Sequence, residues 1–73
     1  MSPRLPRLSG DEVAQALLRA GFVAVSQRGS HGKLRHPDGR TAIVPIHREL
    51  AIGTLASILR QAGISAEELE ALR

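Results

Sequence analysis

Apolar and polar residues recur with two different periods along the chain, and the change of period predicts the order of its elements. Four apolar residues recur at helical spacing and form one stripe: Val13, Ala14, Leu17 and Leu18. Ser9 and Glu12 stand before this stripe at the spacing of a capping box, and Gly21 follows it at the usual place of a helix end. The pattern predicts a first helix over Gly10–Ala20.

The middle of the chain changes to short β-type segments separated by turn residues. Three strands are predicted: Phe22–Val25, His31–His36 and Thr41–Val44. Arg28-Gly29-Ser30 supplies the first turn and Pro37-Asp38-Gly39-Arg40 the second, while Pro45 stops the third strand because it cannot donate to a ladder. Such short links predict an antiparallel meander.

Helical spacing returns in the last third of the sequence. After a loop over residues 46–52, four apolar residues predict a helix over Gly53–Ala62 that Gly63 closes: Leu55, Ile58, Leu59 and Ala62. Ser65 and Glu68 repeat the capping box and start a short terminal helix.

The predicted fold class is α+β. The order is α-β-β-β-α with a short C-terminal helix, and the helices cover one face of a three-stranded antiparallel sheet. This is the layout of the double-stranded-RNA-binding domain. We expect one domain over residues 1–73, in which residues 1–8 form an extended lead-in because Pro3 and Pro6 exclude a regular helix.

Composition removes several classes of protein. The 73 residues include no cysteine, which excludes disulfide scaffolds, Fe–S sites and cysteine-liganded zinc. No apolar run approaches the length of a membrane span, and the first residues lack the apolar core of a signal peptide. We therefore expect a soluble, cytoplasmic protein with no membrane partner.

The charge is more informative in its distribution than in its total of +3. Between Arg28 and Arg48 there are five cations against one anion, whereas the chain after Arg60 is acidic. A cationic middle segment indicates a surface that binds phosphate groups.

His31 is the residue whose chemistry stands out. Alternation along the second strand places His31, Lys33 and Arg35 on one face, and Gly32, Leu34 and His36 on the other. An imidazole that titrates near neutrality beside a cation suits phosphodiester cleavage, because it moves a proton while the cation holds the phosphate. The alternative is a histidine at a strand start that only contacts phosphate or solvent.

The other two histidines suggest different roles. His36, on the Leu34 face before Pro37, is expected to be half-buried and hydrogen-bonded at the turn. His47 beside Arg48 is a second proton handler, a phosphate contact or a solvated loop residue. The spacing of the three histidines matches no standard metal site, so neither metal nor cofactor is predicted.

The chain has one phenylalanine and no tyrosine or tryptophan, and Phe22 is expected to be in the core. Stacking platforms for single-stranded bases are thus absent, and RNA would be bound through phosphates and 2′-hydroxyls. Two other hypotheses stay open at this point. One is a non-catalytic double-stranded-RNA-binding module, and the other is an interaction protein whose basic face holds an acidic partner.

A series of motifs from Leu5 to Leu69 resembles the HicA family of toxins, which are small mRNA interferases of type II toxin–antitoxin systems. The residues that carry the resemblance are Leu5-Pro6, Ser9-Gly10, Leu17, Gly21-Phe22, Gly29-Ser30-His31, Val44-Pro45, His47, Gly53-Thr54-Leu55, Ile58-Leu59 and Ala62-Gly63-Ile64. The series is specific in its order and spacing. Gly32 departs from it, since relatives often carry a bulkier residue there.

The resemblance implies a double-stranded-RNA-binding-domain-like fold and ribosome-independent RNA cleavage. We expect the 2′-hydroxyl to attack the neighbouring phosphate, a route that requires no metal. The resemblance also implies that His31 is the catalytic residue and that a HicB-type antitoxin protein is the partner besides mRNA. Together with the charge pattern, it makes six residues candidate RNA contacts: Arg28, Ser30, Lys33, Arg35, His47 and Arg48.

Overall fold

The computed structural model describes residues 7–73, which form six elements in the predicted order. They are α1 (Gly10–Arg19), β1 (Val23–Arg28), β2 (His31–Arg35), β3 (Thr41–Pro45), α2 (Ile52–Ala62) and α3 (Ala66–Leu72). The predicted α+β arrangement, resembling a double-stranded-RNA-binding domain, is confirmed. Most of the lead-in expected over residues 1–8 lies outside the described residues.

Both predicted capping boxes are formed. The Ser9 hydroxyl accepts from the Glu12 amide at 3.1 Å, and the Glu12 carboxylate accepts from the Ser9 amide at 3.0 Å. Ser65 and Glu68 make the same pair of bonds ahead of α3. The backbone amide of each capping serine, and to a lesser extent its hydroxyl, lowers the pKa of the paired glutamate because these donors favour the ionised carboxylate.

The sheet is an antiparallel meander with the strand order β1-β2-β3. Leu34 pairs with Ala42 and Gly32 with Val44, and these four residues are buried on the face that we call the inner face. The helices cover this face, as predicted. The opposite face, here called the outer face, carries the alternate residues of each strand.

The bounds of β1 differ most from the prediction. The apolar run Phe22–Val25 suggested a short strand, but the strand begins at Val23 and continues through Ser26, Gln27 and Arg28. All six residues of β1 are exposed. The second half of the strand therefore needs no apolar residues, and its sequence shows no apolar pattern. Phe22 lies before the strand and is buried in the core, as expected.

Three smaller differences have local causes. Pro45 belongs to β3, because its nitrogen faces away from β2 and no ladder bond is lost there. The second helix begins at Ile52, since Ala51 takes an extended N-cap conformation without a side-chain bond. The predicted strand over His31–His36 ends at Arg35, as His36 starts the turn.

The core lies between the inner face of the sheet and the helices. Its largest fully buried side chains are Leu8, Val13, Leu17, Val44, Leu55, Ile58 and Leu69. Among residues 7–73, no helix has both the length and the apolar character needed to cross a membrane.

Candidate active site on the outer face of the sheet

The second strand presents its charged residues as alternation predicts. His31 and Arg35 are exposed and Lys33 is partly exposed on the outer face, whereas Gly32 and Leu34 are buried on the inner face. Beside them on β3, Thr41, Ile43 and Pro45 complete the outer face. His31 is thus a surface residue and not part of the core.

A β-bulge adds two further residues to this face. The pairing shifts between Ala24, which is opposite Leu34, and Ser26, which is opposite Lys33, so Val25 is the extra residue. Without the bulge, alternation from Ala24 would direct Ser26 and Arg28 to the inner face. With it, both lie on the outer face beside β2.

Sequence reasoning did not find the bulge. A signal was present, because strict alternation through VAVSQR would have placed the charge of Arg28 over the apolar inner face. A register shift removes that conflict.

The turn between β1 and β2 brings Arg28 opposite His31. Gly29 and Ser30 are the only residues between them, and Gly29 has a φ of +55°, which matches the glycine-first pattern of a type II′ turn. Arg28 and His31 are direct cross-strand partners. Such partners have Cα atoms about 4.5–5.5 Å apart, so their side chains start from neighbouring points of the same face.

A shallow depression of about 380 Å³ lies on this part of the outer face. It is lined by Ser26, Arg28, His31, Lys33 and Ile43. The depression therefore combines an imidazole, two cations, a hydroxyl and one apolar side chain in a space that is open to solvent.

The positive charge of the depression is not neutralised within the molecule. Among the described residues, His31, Arg28 and Lys33 make neither an ion pair nor a side-chain hydrogen bond. The three strands contain no aspartate or glutamate. An anionic group entering the depression would meet free donors and no competing carboxylate on the sheet.

Two further predicted contacts, His47 and Arg48, lie in the exposed loop after β3. This loop starts beside the turn that precedes His31, because the Ile46 amide donates to the Ser30 carbonyl oxygen. Ser30 is itself an exposed turn residue. The backbone therefore brings Ser30 and the start of the His47 loop to the end of the sheet that carries His31.

Gly10 holds the same loop against the start of α1. Its amide donates to the His47 carbonyl oxygen at 2.8 Å, and the Leu50 amide donates to the Leu8 carbonyl oxygen at 2.7 Å. A Cβ on Gly10 would stand 2.0 Å from the Pro45 carbonyl oxygen, so only glycine allows this close approach. Sequence reasoning noticed Gly10 in a motif and missed this long-range role, for which the local pattern contains no signal.

Arg35 shares the outer face but not the depression. It lies at the far end of β2, opposite Val23 and Thr41, and its Nε donates to the Thr41 hydroxyl at 3.3 Å. Arg35 is four positions along the strand from His31, a distance of about 13 Å. A ligand must span that length of the sheet to touch both.

The end of the sheet near Arg35 is stabilised by a second cluster. His36 packs edge-to-face on Phe22 with ring centroids 5.2 Å apart, and its Nδ1 accepts from the Asp38 amide at 3.2 Å. The Arg40 side chain donates to the Asp38 carboxylate and to the Ala62 carbonyl oxygen. Its bond to Asp38, followed by that of the Arg40 backbone amide, lowers the pKa of the Asp38 carboxyl. His36 is half-buried and hydrogen-bonded at the turn, as predicted.

Metal ligands do not gather in the described part of the chain. Over residues 7–73, no three histidine, aspartate or glutamate side chains stand close enough to share an ion.

Comparison with known proteins identifies one family. Residues 10–64 match the family model described as HicA toxin of bacterial toxin-antitoxin. The matched range extends from the start of α1 to the residue after Gly63, and so includes the whole sheet. No individual curated protein matches the chain.

Proposed function

The chain belongs to the HicA toxin family of bacterial toxin–antitoxin systems, and we propose that it is a ribosome-independent RNA endonuclease, an mRNA interferase. The observation that carries this proposal is the exposed His31 side chain, without a partner among the described residues, in a depression with Arg28 and Lys33. An mRNA substrate implies that the protein acts in the cytoplasm.

The proposed reaction needs only groups that the depression and the RNA provide. The 2′-oxygen forms a bond to the adjacent phosphorus, and the bond from phosphorus to the 5′-oxygen breaks. His31 either removes the proton of the 2′-hydroxyl as general base or donates a proton to the leaving 5′-oxygen as general acid. Water or His47 serves as its counterpart. The products are a 2′,3′-cyclic phosphate and a 5′-hydroxyl.

Arg28 and Lys33 have the complementary role of holding the phosphate. Negative charge builds on the non-bridging oxygens as the fifth bond to phosphorus forms, and cations beside it stabilise that charge. Because no carboxylate on the strands competes for these cations, their full charge is available to the substrate.

The remaining candidates extend the RNA contact beyond the scissile phosphate. Ser30, His47 and Arg48 would contact RNA on the His31 side, and Arg35 would bind a phosphate further along the strand. Phe22 is buried, so no aromatic platform for bases is exposed among the described residues. Binding led by phosphates implies weak sequence preference.

Family membership implies a cognate antitoxin. We propose a HicB-type protein that neutralises the chain by covering the depression, with acidic side chains opposite Arg28, Lys33 or Arg35. Charge complementarity of this kind accelerates association and fixes the orientation of the complex.

Incubating the purified chain with a defined RNA in EDTA tests the proposal. The expected result is discrete fragments with 2′,3′-cyclic phosphate and 5′-hydroxyl ends. A matched RNA with 2′-deoxyribose at the cut sites should bind and stay intact, because the attacking hydroxyl is gone.

Other outcomes separate the alternatives. Salt-dependent RNA binding without fragments would contradict the enzyme and support a non-catalytic RNA-binding module. Equal cleavage of the 2′-deoxy RNA would contradict the proposed attack. Fragments that vanish in EDTA would contradict metal independence.

A further inference from the structure

The two edges of the sheet differ in how they are covered. The β3 edge lies against α2, where the Ile43 amide donates to the Gln61 side-chain oxygen at 2.9 Å. At the other edge, all six residues of β1 are exposed. In residues 7–73 no element lies beyond β1 in the sheet.

The register shows which backbone groups of β1 point outward. The Ile43 amide faces away from β2, so Ile43 and its partner Lys33 form a non-hydrogen-bonded pair. Because backbone groups alternate in direction along a strand, those of Gly32 and Leu34 face β3. Their partners on the other side, Gln27 and Ala24, therefore direct their amides and carbonyls to the open edge.

Apolar side chains accompany this edge. Val23 is 57% exposed, Val25 49% and Leu18, on the neighbouring helix, 41%. Leu18 and Ala24 also line a shared groove of about 230 Å³. β1 contains neither the lysine nor the proline that commonly protect an edge strand, and its bulge limits straight pairing to a short segment.

We infer that the edge of β1 pairs with an extended segment of the antitoxin, which adds a fourth strand to the sheet. The segment would carry apolar side chains toward Leu18 and Val25 and an acidic side chain toward Arg28. This inference rests on the proposed neutralisation by an antitoxin and not on RNA cleavage. It explains how a partner reaches the depression, since Arg28 is the last residue of the same strand.

Charge and chemistry favour this occupant over the others. An RNA strand gains nothing from exposed valines and cannot match the alternating donors and acceptors of a strand edge. A second copy of this chain brings another net charge of +3, whereas an acidic segment is attracted.

The test measures the affinity of the full chain for its cognate antitoxin, together with amide hydrogen exchange. Ala24→Pro removes an outward amide without removing a bond to β2, and Val25→Glu places an anion at the edge. Each should weaken antitoxin binding by about tenfold or more, as expected for a lost hydrogen bond or an introduced like charge. The amides of Ala24 and Gln27 should exchange rapidly in the free chain and slowly in the complex.

Ile52→Glu is the matched control, since Ile52 is also an exposed apolar residue but lies at the start of α2. It should bind the antitoxin like the wild type. If Ala24→Pro fails to fold, the affinity of Val25→Glu and the exchange measurement still test whether the antitoxin pairs with the β1 edge. The inference would be overturned if both variants bound the antitoxin with unchanged affinity and the amides of Ala24 and Gln27 stayed unprotected in the complex. It would also be overturned if these amides became protected without antitoxin as the concentration of the chain was raised, because a second copy would then cover the edge. If the wild type does not cleave RNA but binds the antitoxin at β1, the proposed RNA cleavage is refuted and the inference about the β1 edge stands.

Discussion

His31 is the first residue of β2 and His36 follows its last residue, and the two histidines have opposite environments. His36, just after the strand, is 22% exposed in its side chain, packs on Phe22 and accepts from the Asp38 amide. His31, the first residue of the strand, is exposed and makes no side-chain bond within the described residues. The imidazole of His36 therefore contributes to stability through its contacts, whereas the nitrogen atoms of His31 are free to bond a ligand.

The neighbouring cations differ in the same way. Arg40 at the His36 end bonds Asp38 and Ala62 and lies 5.3 Å from the centre of the Phe22 ring. Arg28 and Lys33 at the His31 end make no ion pair in residues 7–73. A count of charges along the chain includes Arg28, Lys33 and Arg40 alike. Only cations without an ion-pair partner, however, offer their full charge to a phosphate.

The largest effect on stability is expected at the His36 end. Phe22→Ala should lower the free energy of unfolding by about 3–5 kcal/mol, because it removes a buried ring and the contacts of His36 and Arg40 with it. Val23→Ala, one residue on and largely exposed, is the control and should stay within about 0.5 kcal/mol of the wild type. Urea unfolding measures both. A stable Phe22→Ala would show that this end does not hold the fold.

Binding of RNA should depend on the His31 end. Lys33→Ala should make the slope of log K against log salt shallower by about 0.7–0.9, the value for one lost phosphate contact. Arg60→Ala removes the same charge from an exposed position on α2 and should leave the slope unchanged. Equal slopes for Lys33→Ala and the wild type would mean that Lys33 does not contact phosphate.

Acid should weaken the His36 end through Asp38. Arg40 lowers the pKa of the folded carboxyl below its ordinary value of 3.8, so the ionised form stabilises the fold above that value. The contribution is lost as the pH falls through the folded pKa. Thermal unfolding from pH 7 to pH 3 should therefore show a smaller fall in Tm for Asp38→Asn than for the wild type. An identical fall in both would exclude Asp38 as a contributor.

The smallest effect is expected at Gly32, where the chain departs from the family pattern. An added Cβ would lie 3.7 Å from both the Ile46 Cδ1 and the Val44 carbonyl oxygen, which is ordinary contact. Gly32→Ala should thus change stability by less than about 0.5 kcal/mol and leave cleavage unaltered. A large loss of activity would show that the depression requires glycine on the inner face.

Local signals made much of this arrangement predictable. The two capping boxes predicted where α1 and α3 begin. Alternation along the second strand predicted that His31 faces outward and His36 inward. The polar half of β1 and its bulge were missed, because an exposed edge strand needs no apolar pattern. The close approach of Gly10 to Pro45 was also missed, since it joins segments far apart in the chain. The roles of His31 and the RNA contacts stay predictions.

A paired measurement on His31→Ala and His36→Ala tests the central claim most directly. For each variant, the RNA cleavage rate per folded molecule and the Tm are measured on the same sample. His31→Ala should cleave about 10²–10⁴-fold more slowly with an unchanged Tm, because a positioned acid or base is lost from an exposed site. His36→Ala should lower the free energy of unfolding by about 1 kcal/mol and cleave normally. Normal cleavage by a folded His31→Ala, or an inactive but stable His36→Ala, would contradict the account.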